Sequence, residues 1–226
     1  MRVLPFKSDK DIGVVHGNIK PQNVLVFKDD ITRNVTVKVA DFGYSTLTVG
    51  ESGKVSLPKS RPWNDPEYHF GEFEVQEAKR TDVYSFGMLC LWFLFENHLS
   101  NIPQTTADGT EELISFDAPL LQCGRPTLLE LLKDEGRVGD IANNLVESMP
   151  GFLNVEYQIR LKEIFSLTLP LNPAKRTCNL ARVISLLSNV EYRIRLKEIF
   201  RLTLPLSPRK RTCDLARVIG LLSQKK

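Results

Sequence analysis

Within eight residues, His16-Gly17-Asn18-Ile19-Lys20-Pro21-Gln22-Asn23, the chain gathers a histidine, two amides other than Gln22 and a lysine, and Asp41-Phe42-Gly43 follows shortly after. Asp41 and Asn23 are hard oxygen donors of the kind Mg²⁺ accepts together with phosphate oxygens. Asn18 is where the chemistry stops. An amide has no basic lone pair in the useful pKa range, so it cannot take a proton from a hydroxyl. His16 reads as a residue that packs and hydrogen-bonds within its loop rather than an acid or base. His69 and His98 stand in no pattern that suggests a metal.

The same residues resemble the catalytic loop and metal-binding turn of protein kinases, whose signature runs H-R-D-L-x-x-x-N, then D-F-G, then A-P-E. His16, Lys20 and Asn23 hold their places, and Asn18 stands where the signature has its catalytic Asp. More of the pattern follows in order. Ser60-Arg61-Pro62-Trp63-Asn64-Asp65-Pro66-Glu67 resembles the end of an activation segment, with Asp65 for the Ala of A-P-E. Asp82-Val83-Tyr84-Ser85-Phe86-Gly87 resembles the start of the central helix of the C-terminal lobe. Asn172-Pro173-Ala174-Lys175-Arg176-Thr177 resembles the late turn whose Arg pairs with the A-P-E Glu. The wording around these motifs is similar to that of protein kinase-like proteins common in filamentous fungi.

The resemblance implies roles. Asp41 and Asn23 become the Mg²⁺ ligands, with Mg-ATP the implied cofactor. Lys20 resembles the Lys that steadies the transferred phosphate. Ser60 falls where Ser/Thr-type kinases carry a Thr bonded to that Lys and to the catalytic Asp, which implies Ser/Thr ancestry. Asp82 is expected to accept hydrogen bonds from the catalytic-loop backbone. Glu67 and Arg176 are expected to form a structural ion pair, and Asp65 to place a second charge beside Glu67 and weaken that region. Gly17 replaces the signature Arg, so no cationic anchor remains for a phosphorylated activation loop.

No G-x-G-x-x-G loop, ATP-phosphate Lys or paired helix Glu is found in the fifteen residues before His16. The expected fold is therefore mainly α with a small β-hairpin region: a protein kinase-like C-terminal lobe, its N-terminal lobe absent. The expected organisation is an irregular segment over residues 1–11, the C-lobe over 12–188, and a duplicated helical hairpin with a basic tail over 189–226. Asn18 and the missing lobe imply a pseudokinase-like chain, inactive as it stands, acting if at all as an interaction module for a protein partner. Mg-ATP binding is expected to be weak or absent. Two alternatives stay open: an active Ser/Thr kinase if completed by an N-lobe, and a non-functional gene fragment.

Composition sets the outer bounds. The 226 residues are 42% apolar and 25% charged, ordinary values for a soluble globular chain. No run reaches the roughly 18–20 apolar residues of a membrane span, and no signal-peptide core opens the chain; a cytoplasmic location is the expectation. Cys90, Cys123, Cys178 and Cys213 lack C-x-x-C spacing and read as reduced structural thiols. Residues 154–226 carry 15 Lys/Arg against 5 Asp/Glu. Without an aromatic platform beside this charge, a solvated helix face is the expectation rather than nucleic-acid binding.

The elements that must position the motif residues follow from periodicity. Val24 to Phe27 and the alternating Val35-Thr36-Val37-Lys38-Val39 read as two strands, the second half-buried and running straight into Asp41. Residues 44–60 read as a mobile loop and 101–118 as a long one. A central helix, apolar nearly all round, is predicted from about Thr81 to Phe95. Thr127 is the expected N-cap of a helix through Lys133, and another helix is placed over Asp140 to Ser148. Residues 154–188 and 189–223 match at 29 of 35 positions without a gap. Each copy reads helix, Pro-containing turn, helix, with Pro170 and Pro173 dividing the first. Such identity points to a recent duplication, or to an error in assembling the coding sequence, rather than to a solenoid, which needs about three units.

Overall fold

The computed structural model describes residues 15–28, 35–43, 54–99, 103–105, 109, 111–116, 126–148, 155–177 and 179–187. The irregular segment 1–11, the second hairpin, and Cys123, Cys178 and Cys213 lie outside the described residues. Among the described residues the fold is mostly helical, with three small antiparallel strand pairs.

The chain enters the described region at Val15, which is fully buried, and passes through the motif loop into a tight turn over Pro21–Asn23. Strands β1 (Val24–Lys28) and β2 (Val35–Val39) then pair with Val24 opposite Val39 and Lys28 opposite Val35. Asn23 therefore ends one strand beside the point where the other delivers Asp41, and Ala40 N–H bonds to the Asn23 carbonyl at 2.8 Å. The period-two pattern locates β2. The pair is more open than a half-buried strand at both ends: Val39, opposite Val24, is 44% exposed, and Phe27, opposite Thr36, is 49% exposed.

Residues 54–56 are not a loop. They form β3 (Lys54–Ser56), paired with β4 (Glu72–Glu74) so that Val55 faces Phe73. These two side chains, with Val15 and Ala78, make a small second core. Helix α1 (Val75–Leu99) begins six residues before the predicted start and ends four after the predicted end. Its first turns are mostly polar, with Val75 packed against the small core and Ala78 buried in it, so apolar periodicity does not reveal them. Thr81 lies inside the helix, where its hydroxyl donates to the Ala78 carbonyl at 2.7 Å. Beyond α1 the stretch read as one long loop contains β5 (Pro103–Thr105) and β6 (Glu111–Leu113), an antiparallel pair.

Helix α2 (Leu128–Asp134) starts at a full capping box: Thr127 Oγ1 accepts from Glu130 N–H at 3.3 Å, and Glu130 accepts from Thr127 N–H at 3.1 Å. Helices α3 (Val138–Glu147), α4 (Val155–Thr168) and α5 (Leu180–Leu187) complete the described fold. The main core lies where α1, α3 and α4 meet. Met88, Phe95, Ala142, Val146, Ile164 and Phe165 are at most 2% exposed there. Gly87 lets α1 and the end of α4 approach, since a Cβ on it would sit 2.4 Å from Thr168 Oγ1.

Candidate active site

Asp82 anchors the motif loop. From α1 its two carboxylate oxygens accept the backbone N–H groups of His16 (2.6 Å) and Gly17 (2.8 Å). Burial pushes its pKa up to about 6, against the opposing pull of those two N–H donors. Gly17 can turn between them because its φ of 78° lies in the left-handed region that glycine adopts freely.

His16 is buried and its roles are fixed by its partners. Nε2 donates to the Ala40 carbonyl at 2.9 Å, and Nδ1 accepts from Asn18 N–H at 3.1 Å. Burial lowers its pKa, consistent with a neutral ring. The ring lies 4.8 Å from that of Phe42, tying the loop to the Asp-Phe-Gly turn. The imidazole is thus engaged in holding backbone.

Asn18, 5% exposed, is the hub. Its Oδ1 accepts the Ser60 hydroxyl at 2.7 Å, and its Nδ2 stands 3.5 Å from Asp41 Oδ2. Its carbonyl accepts from Asn23 Nδ2 at 2.8 Å. Lys20 Nζ reaches the same Ser60 oxygen at 3.1 Å. The structure thus brings Asn18, Lys20, Asn23, Asp41 and Ser60 into one connected cluster, from positions 18 to 60 in the chain. Asp41 itself is exposed and has a φ of 64°, uncommon for a residue other than glycine and better tolerated by Asp than by most.

The donor set can be tested against Mg²⁺. Asn23 spends its Nδ2 on the Asn18 carbonyl, so its free polar atom is the oxygen Oδ1. Asp41 adds an exposed carboxylate. One amide oxygen and one carboxylate are hard donors that fit a Mg²⁺ completed by water and phosphate oxygens. These two residues would hold the ion, and the ion would neutralise phosphate charge.

A second buried cluster lies under the Ser60 segment. The Arg176 side chain is fully buried; it donates to Glu67 through Nη1 (2.8 Å) and Nη2 (2.9 Å), and to Asp65 through Nη1 (3.2 Å). It also donates to the carbonyls of Pro170 and Leu171 and lies 4.6 Å over the Tyr84 ring. Asp65 lies beside Glu67 on the same guanidinium, as expected. Burial, and then the neighbouring Glu67 carboxylate, push its pKa up to about 8, which favours the protonated form, and a proton there would relieve the repulsion. Lys133, also buried, donates to the Pro62 carbonyl at 2.7 Å, and desolvation lowers its pKa to about 8. Sequence reasoning gave Lys133 only a place in a helix; a lysine within a Leu-rich turn carries no local sign that its ammonium will be buried.

The comparisons agree with this geometry. Residues 10–161 match the protein kinase domain. The chain belongs to the protein kinase domain family. Among the curated relatives of this kinase domain, cysteine-rich receptor-like protein kinase 10 of Arabidopsis thaliana is 30% identical over 133 residues, 58% of this chain and 18% of the relative. The dual specificity protein kinase shkD of Dictyostelium discoideum is 41% identical over 80 residues, 35% of this chain and 10% of the relative. The G-type lectin S-receptor-like serine/threonine-protein kinase SD2-5 of Arabidopsis thaliana is 28% identical over 143 residues, 62% of this chain and 15% of the relative. The chain thus spans a fifth or less of the length of these relatives. No solved structure matches. Among the described residues, no helix is long and apolar enough to cross a membrane.

Proposed function

We propose that this chain is a protein kinase-type domain of Ser/Thr ancestry that does not transfer phosphate and acts by binding a protein partner. The observation that carries the reading is Asn18. Its Oδ1 is taken by the Ser60 hydroxyl at 2.7 Å, and an amide there has no proton-accepting capacity to offer a substrate hydroxyl. Phosphoryl transfer depends on positioning and charge stabilisation, with the loop Asp accepting the hydroxyl proton. Lys20, Asn23 and Asp41 keep the positioning side of that arrangement while the acceptor is lost.

Mg-ATP binding in this reading is weak. Asn23 and Asp41 are the two ligands this reading gives the metal. An affinity no better than about millimolar, roughly −4 kcal/mol, is expected. The residues over 12–188 constitute the kinase-like unit in this proposal, with the repeat over 189–223 as an appendage.

The test is phosphotransfer from Mg-ATP to general Ser/Thr substrates by the purified chain. No transfer is expected. Transfer that disappears in Asp41→Ala would refute the reading.

A further inference from the structure

The described residues show one seat filled by residues 154–188, and the chain carries a second copy of that sequence over 189–223. We propose that residues 189–223 are a competing occupant of the seat now filled by residues 154–188. The inference does not depend on whether the domain transfers phosphate.

The seat is read from the described residues. Leu161, Ile164 and Phe165 of α4 and Val183 of α5 are at most 1% exposed in the core. Phe165 lies 6.2 Å from Phe95 of α1, and Thr168 with Leu169 closes over Gly87. Arg176 is held by Glu67 and Asp65. Everything the seat touches recurs in the second copy at the same spacing. Leu196, Ile199 and Phe200 repeat the residues of the α4 stripe; Thr203 and Leu204 repeat the Thr-Leu pair that closes over Gly87; Arg211 repeats the arginine.

The differences are as telling as the identities. The six substituted pairs are Gln158/Arg193, Ser166/Arg201, Asn172/Ser207, Ala174/Arg209, Asn179/Asp214 and Ser185/Gly220. In the seated copy Gln158 is half-buried and the other five are exposed, so none reaches the core. Two of them cap turns. Asn172 Oδ1 accepts from Ala174 N–H at 2.9 Å, and Asn179 Oδ1 accepts from Arg182 N–H at 3.2 Å. Ser and Asp are equally able N-caps. The second copy carries three additional arginines, Arg193, Arg201 and Arg209, at positions that lie outside the core in the first.

Chain connectivity decides which copy sits by default. From the end of α3 at Glu147, seven residues lead to Val155, while the equivalent Val190 is reached after 42. A sixfold longer connection costs about two and a half doublings of loop length, which favours the first copy by roughly 10- to 20-fold. The second copy is therefore a minor occupant, ready when the first is weakened.

The full-length chain tests this through three variants, Arg176→Ala, Arg211→Ala and the double, compared by equilibrium urea unfolding. Removing one side of a buried ion pair costs roughly 100- to several-thousand-fold in the folding constant when nothing replaces it. With exchange, Arg211→Ala leaves the constant within about twofold. Arg176→Ala loses no more than about 20-fold, because the second hairpin takes the seat. The double variant loses the full amount or fails to fold. Peptide-resolved hydrogen exchange follows the occupant directly, since the copies differ in mass at 158/193 and 166/201. Protection moves from residues 155–168 to 190–203 in Arg176→Ala. Equal losses in Arg176→Ala and the double, including failure of both to fold, overturn the proposal, as does protection that stays on 155–168.

Discussion

Asn18 and Asp41 meet at 3.5 Å, amide nitrogen toward carboxylate oxygen. In this arrangement the loop needs no metal to keep two acidic groups apart, because one of them has become a donor. Asn18→Asp reverses this and sets two carboxylates at the same separation. Two unit charges about 4 Å apart interact by about 4 kcal/mol at an effective dielectric constant of 20. Asp41 is exposed, so solvent screening reduces this to about 1 kcal/mol. The expected outcome is a variant about 1 kcal/mol less stable than the parent in EDTA, with the loss offset by millimolar Mg²⁺. The parent should show no comparable response. Urea unfolding with and without Mg²⁺ measures both, and an Asn18→Asp variant as stable as the parent in EDTA contradicts the account of the cluster.

Asp65 predicts a pH dependence with a definite sign. Its carboxyl titrates at about 8 in the folded chain, against an ordinary value of 3.8. A raised acid pKa stabilises the folded state fully below the ordinary value, and that contribution is lost as pH rises to the folded value. Relative to Asp65→Ala, the parent should therefore lose stability steadily between about pH 4 and pH 8, and the difference should level off outside that window. Paired thermal melts of parent and variant across pH 4–9 report it. A stability difference that does not change with pH would mean Asp65 is ionised throughout and held by Arg176.

The contact between Gly87 and Thr168 predicts a packing penalty. A methyl group at 87 would lie 2.4 Å from Thr168 Oγ1 and 2.8 Å from Leu169 Cδ2. Replacing a helical Gly by Ala ordinarily gains about 1 kcal/mol. Overpacking a tight core costs about 1–3 kcal/mol, so Gly87→Ala should be destabilising where propensity alone predicts the reverse. Chemical denaturation of Gly87→Ala decides the sign. A gain in stability would show that α1 and α4 have slack between them.

Several parts of the fold are written locally and could be read from the chain. The alternation of Val35 to Val39 marks a strand because side chains of a strand face opposite ways at every step. Thr127 and Glu130 announce the start of α2 because a capping box is satisfied within four residues. Pro170 and Pro173 divide α4 from α5 because proline cannot continue a helix. The motif residues His16, Lys20, Asn23 and Asp41 were picked out by the resemblance that their types and order carry. Asn18 was visible as a changed letter.

What that letter does was decided only in three dimensions. The partner of Asn18 is Ser60, 42 positions away, and the loop is hung from Asp82, more than sixty positions away. Strands of three residues such as β3 and β4 have too little pattern to be seen before they pair, and α1 starts early because Ala78 finds a small core made by residues distant in sequence. Asp65 reads from sequence as a charge. In the fold its pKa is raised because burial in a low-dielectric interior disfavours the ionised form, and burial is a property of packing that no local pattern encodes.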